Sequence, residues 1–138
     1  MSGDARPICP QCGAPLFHRA HGDQTCVQHG HWLPSEVLDA TFGGGASGAV
    51  RAATQRTGLT PRKCPDDRYE MSHVANASGT VQADACGRCG GVWIPLSLVE
   101  SLKATTPVNA STDAEARSLL ALAAARALCS PAPAPRRR

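Results

Sequence analysis

Apolar positions along this chain come in short runs, each the length of a strand or a few helical turns. Residues 16–20 (Leu-Phe-His-Arg-Ala) and 24–27 (Gln-Thr-Cys-Val) read as two short strands, with His21-Gly22-Asp23 as the turn between them. Trp32 and Leu33 follow. Pro34 then opens a short helix whose apolar side carries Val37 and Leu38. Residues 43–63 lose this pattern. Gly43-Gly44-Gly45 and scattered arginines predict a flexible linker over 42–62, with at most a helical turn near Ala49.

The pattern then repeats. Residues 69–75 alternate like a strand, Asn76 to Gly79 supply a turn, and residues 80–85 return. Trp93 follows, and Pro95 opens a second short helix, with Val99 and Leu102 at helical spacing beside Leu98 or Ile94. The register is Cys9 with Cys64, Cys12 with Asp67, Leu16 with Met71, Cys26 with Cys86, His29 with Cys89 and Trp32 with Trp93. Beyond the repeat, Thr112-Asp-Ala-Glu115 looks like a capping box for a helix over 112–129. Its expected apolar side carries Leu119, Leu120, Leu122, Ala123, Ala127 and Leu128. The Pro/Ala/Arg run at 130–138 reads as an extended, disordered basic tail.

Composition changes what these elements imply. Aromatic residues make up 4%, and 13 glycines and 11 prolines interrupt the chain. Two small repeats with so little to bury need a metal or another cross-link for stability. Trp32 is therefore expected to fill its core rather than to stack on a base.

Six of the seven cysteines fall in or beside the repeated clusters, several followed by Gly or Pro. That spacing points to zinc in a reducing compartment rather than to disulfides. A tetrahedral zinc site takes four ligands from Cys, His or a carboxylate. Cys9, Cys12, Cys26 and His29 are the predicted first set, with His31 as the rival to His29. Cys64, Asp67, Cys86 and Cys89 are the predicted second set. There Asp66, His73 or a water can compete with Asp67. Cys129 stands outside both sets as a free thiol.

Cys9-Pro-Gln-Cys12-Gly-Ala-Pro-Leu16, then Cys26-x-x-His29-Gly and Trp32, resembles the transcription factor IIB-type zinc-ribbon family found in many short bacterial proteins. Cys64-Pro, then Cys86-Gly-Arg-Cys89-Gly-Gly-Val-Trp93-Ile94, resembles it again. His29 and Asp67 replace family cysteines, and Pro34 and Pro95 stand where the family usually has Asp. The resemblance implies a small metal-stabilised α+β fold. It would have two zinc ribbons, each a hairpin with knuckles followed by a short helix, at residues 8–41 and 63–104. The helix over 112–129 would add to them.

Function is constrained less. No nucleophile–base arrangement is visible, and closed metal sites leave no position for substrate, so a non-catalytic adaptor is expected. A protein partner is favoured. Six thiolates and two zinc ions would bring the formal net charge of +3 down to about +1, which weakens a general case for nucleic acid. Nucleic acid remains an alternative through the basic linker and tail, as does a zinc- or redox-responsive sensor with a labile second site. No apolar run follows Met1, and no stretch of about 18 apolar residues occurs, so a cytoplasmic chain without a membrane span is expected.

Overall fold

The computed structural model describes residues 7–54, 58–76 and 78–129. Among these residues, seven strands form one antiparallel sheet in the order β1-β2-β3-β7-β6-β5-β4. They are β1 (Phe17–His18), β2 (Gln24–Cys26), β3 (Gly30–Leu33), β4 (Leu59–Lys63), β5 (Glu70–Ala75), β6 (Gln82–Ala85) and β7 (Val92–Pro95). The described helices are α1 (Ser35–Phe42), α2 (Ala46–Thr54), α3 (Leu96–Thr105) and α4 (Asp113–Cys129). The protein is thus a small α+β fold, with the helices on one face of the sheet.

The two hairpins form where turn chemistry predicts them. Phe17 pairs with Thr25, and His73 pairs with Asp84. Each half also carries a third strand that the sequence pattern hides, β3 and β7. These two strands pair with each other, Trp32 opposite Trp93 and His31 opposite Ile94. The two halves therefore share one sheet. Alternation along the paired strands then divides the core. Leu33, Val92, Ile94, Val74, Ala83 and Ala85 face the helices and join Leu38, Val50, Val99 and Leu120. Trp32 and Trp93 point the other way, into a second cluster with Leu16, Met71 and the buried cysteines of both repeats.

The segment 42–62, expected to be a flexible linker, carries regular structure in its described residues. It carries α2 and then β4, the edge strand beside β5. Asp39 supplies the physical reason. Its carboxylate accepts from Ser47 N and Ser47 Oγ, both at 2.9 Å, and so caps α2 across the glycine run. Ala46 and Val50 are buried in the helix-side core. Pro34 and Pro95 sit one position outside their helices, at the N-caps of α1 and α3.

The capping box of α4 forms in a shifted version. Glu115 N donates to Thr112 Oγ1 at 3.0 Å, while Glu115 Oε1 accepts from Ser111 N at 2.8 Å. The buried side of α4 differs from the expected one. It is Ser118, Leu120, Ala121, Ala124, Ala125 and Leu128, while Ala123 is exposed. The alanines let the helix approach its neighbours closely, which large side chains there would prevent. The tail at 130–138 lies outside the described residues.

Candidate metal centres

The first set is assembled by two tight turns at one end of the first hairpin. Gly13 N donates to Cys9 O at 2.9 Å, with Gly13 at φ +78°, a conformation that glycine adopts without strain. Gln11 N points back at Cys9 Sγ at 3.3 Å. In the second turn His29 N donates to Cys26 O at 3.1 Å. The ligand atoms of Cys9, Cys12, Cys26 and His29 all lie within 4.8 Å of one another. Cys12 Sγ is 3.8 Å from Cys26 Sγ, and His29 Nδ1 is 3.4 Å from Cys26 Sγ and 3.6 Å from Cys9 Sγ. A tetrahedron with zinc–sulfur bonds of about 2.3 Å has edges of about 3.8 Å, slightly shorter towards nitrogen. The first set therefore fits a zinc ion. His31 lies elsewhere. It is buried, and its Nδ1 sits 2.8 Å from Asp23 Oδ2.

The second set repeats the geometry. Arg68 N donates to Cys64 O at 3.0 Å and Gly90 N to Cys86 O at 2.9 Å. Arg68 takes the place of Gly13 and carries φ +65°, the one non-glycine residue in that region among those described. Amides of Asp66, Asp67, Cys89 and Gly91 point at the sulfurs of Cys64, Cys86 and Cys89 at 3.4–3.5 Å. Cys64, Asp67, Cys86 and Cys89 present ligand atoms within 4.8 Å of one another. Cys64 Sγ is 3.8 Å from Cys89 Sγ, and Asp67 Oδ2 is 3.4 Å from Cys86 Sγ. The competitors stand apart. Asp66 Oδ2 accepts from Trp32 Nε1 at 3.0 Å, and His73 is exposed on β5.

Electrostatics favour a metal in both places. Burial pushes the Cys9 thiol up to about 11. In the second set, hydrogen bonds from Cys64 and Cys89 hold Cys86 down to about 2, and the same contacts push Cys64 far up. Without a cation the cluster stabilises one thiolate at the expense of its neighbours. A divalent ion stabilises several at once and expels their protons. Two clusters of this composition can each hold zinc.

The clusters are packed back to back, an arrangement sequence reasoning did not find. The Trp32 ring lies on Gly91, where an added Cβ would come within 2.4 Å of the ring. The Trp93 ring approaches Gly30, 3.0 Å from where its Cβ would stand. Ser47 of α2 similarly occupies the space beside Gly90, and Arg51 Nη1 reaches Cys89 O at 3.4 Å. Glycines next to the ligands in both repeats were the available signal, but nothing in the sequence says which ring would cover which glycine.

Comparison with known proteins agrees with the second repeat. A family profile described as "Transcription factor zinc-finger" matches residues 63–105, which include Cys64, Asp67, Cys86 and Cys89. The first cluster lies outside the matched residues. No curated protein and no solved structure matches the chain. The clusters and the matched family together support zinc as the metal.

Proposed function

We propose that residues 8–41 and 63–104 are two zinc ribbons, each closed on one zinc ion, joined into a single non-catalytic scaffold that serves as a protein-interaction or regulatory adaptor. The observation that carries this reading is the ligand geometry: four donor atoms in each set, at the edge lengths of a zinc tetrahedron. A zinc ion held by four protein ligands has no free position for a substrate, which favours a structural role. Phe17, Val27, Leu59 and Tyr69 are large apolar side chains left exposed, and they are the natural contacts for a protein partner.

Mass spectrometry of the intact chain under native conditions tests the first half of the proposal, with two zinc ions per chain expected. Capture of partner proteins by the zinc-loaded chain tests the second half. Phe17→Ser or Leu59→Ser is expected to weaken capture without altering zinc content. Capture of nucleic acid instead, with affinity falling steeply as salt rises, would replace the protein partner.

A second reading rests on Asp67, an oxygen donor in a set otherwise made of thiolates. Such a ligand binds zinc less tightly than a fourth thiolate, and would make this site the labile one in a zinc- or redox-responsive sensor.

A further inference from the structure

Asp23, Thr25 and His31 belong to neither ligand set, yet they form a buried polar cluster behind the first one. Asp23 is fully buried and His31 is 2% exposed. Asp23 Oδ2 accepts from His31 Nδ1–H at 2.8 Å, from Ser118 Oγ of α4 at 2.9 Å and from Thr25 Oγ1 at 3.3 Å. Three donors converging on one oxygen hold the ionised carboxylate. A carboxylate on Nδ1 keeps a ring proton there, so in the neutral ring the lone pair is on Nε2. Nε2 has no hydrogen-bond partner among the described residues. Nε2 is not closed off from solvent, so a donor from outside the chain can reach it.

His31 lines a cavity of about 310 Å³, with Thr25, Arg19, Leu96, Glu100 and Arg117 among its other walls. The charges around it are unevenly committed. Arg117 is paired with both Glu100 and Asp113, and Lys103 also pairs with Asp113. Arg19 makes no ion pair among the described residues. The cavity therefore offers one cation without an ion pair, one accessible imidazole nitrogen and an apolar wall from Leu96. Its volume is at the lower end of the range for small-molecule sites, which suits a ligand the size of an amino acid rather than a nucleotide.

We propose that this cavity binds a small carboxylic acid bearing a hydroxyl or amino group. The carboxylate pairs with Arg19, and the O–H or N–H group donates to His31 Nε2. Asp23, Thr25 and Ser118 act as positioning residues that fix the ring and its tautomer. This site goes beyond the adaptor reading and depends on neither the partner nor the pathway.

The test is nitrogen NMR of the zinc-loaded full chain carrying ¹⁵N-labelled histidine. L-serine and L-lactate are the probes, and propionate, which has the carboxylate but no donor, is the control. At least one of serine and lactate is expected to move the His31 Nε2 resonance saturably by about 10 mM, with propionate leaving it in place. Arg19→Ala changes a half-buried surface residue outside both ligand sets, and should weaken the response by about tenfold or more at unchanged zinc content. Three outcomes overturn the proposal: no saturable shift from either probe, an equal shift from propionate, or full binding in Arg19→Ala. Zinc content measured on the same samples separates failure here from failure of the two-zinc reading.

Discussion

Asp67 offers a hard oxygen where its counterpart in the first set, Cys12, offers a soft thiolate. Zinc prefers the softer donor in a sulfur-rich shell. Replacing Asp67 with Cys should therefore tighten the second site, and Asp67→Ala, which removes one donor from the metal, should loosen it by about tenfold or more. Competition with a chromogenic chelator reads both, and equal, unchanged affinities in the two variants would remove Asp67 from the ligand set. The thiols also set a pH dependence. Cys9 stands at about 11 through burial, and Cys64 is pushed far up by its hydrogen bonds to Cys86 and Cys89. Zinc must expel those protons, so affinity should fall as pH falls, by up to about tenfold per pH unit for each proton displaced. Zinc affinity that holds constant between about pH 8 and about pH 6 would contradict thiolate ligation.

Asp23 gives a separate prediction at the same level. Burial works against its ionisation, but hydrogen bonds from His31 and Ser118 outweigh burial and keep the carboxyl below its usual range. A depressed pKa means that its stabilisation is complete above the ordinary carboxylate value of about 3.9 and fades as pH falls below it. Asp23→Ala would leave the Ser118 and Thr25 hydroxyls and the His31 N–H buried without their acceptor. A loss of about 2–4 kcal/mol is expected in denaturant unfolding of the zinc-loaded chain at neutral pH.

Among the elements, α2 shows how local composition can mislead. Its glycine-rich approach and small residues carry little helical signal, yet the helix is held at one end by Asp39 and along its side by the knuckle at Gly90. Neither support is local in the chain. The seam between β3 and β7 has a similar character. Gly91 has no side chain because the Trp32 ring occupies that space. Gly91→Ala would drive a methyl group into a fully buried indole, and overpacking of this kind costs about 1–3 kcal/mol or more. A drop in the thermal midpoint of the zinc-loaded variant checks this. An unchanged midpoint would mean that the ring and the knuckle are not in contact.

Across the molecule, the two metal clusters share a wall. Trp32, Trp93 and the buried cysteines of both sets form one apolar cluster, and Trp32 Nε1 donates to Asp66, which lies between Cys64 and Asp67. Metal binding in small domains is coupled to folding, so a shared wall couples the two sites. Cys9→Ser, aimed at the first set alone, should also weaken zinc at the second by a measurable factor, read by chelator competition. Independent second-site affinity would restore the picture of two modules on a tether. The described helices include none long and apolar enough to cross a membrane.

The two clusters of candidate ligands could be proposed from the chain because each knuckle is a local turn. Two cysteines, or a cysteine and a histidine, three positions apart converge by backbone geometry alone, and the repeat supplies the missing half. The same locality made the hairpins and the cap of α4 visible. Which face of α4 is buried, why residues 46–54 become a helix, and which strand lies beside Trp32 depend on partners far along the chain. His31 shows the limit most plainly. Its spacing made it a rival zinc ligand, and only the approach of Asp23 and of Ser118, 95 positions beyond Asp23, turns it away from the first set. Spacing carries the chemistry that neighbours make together. Tertiary packing assigns the rest, because burial and strand pairing are properties of residues that meet only in the folded chain.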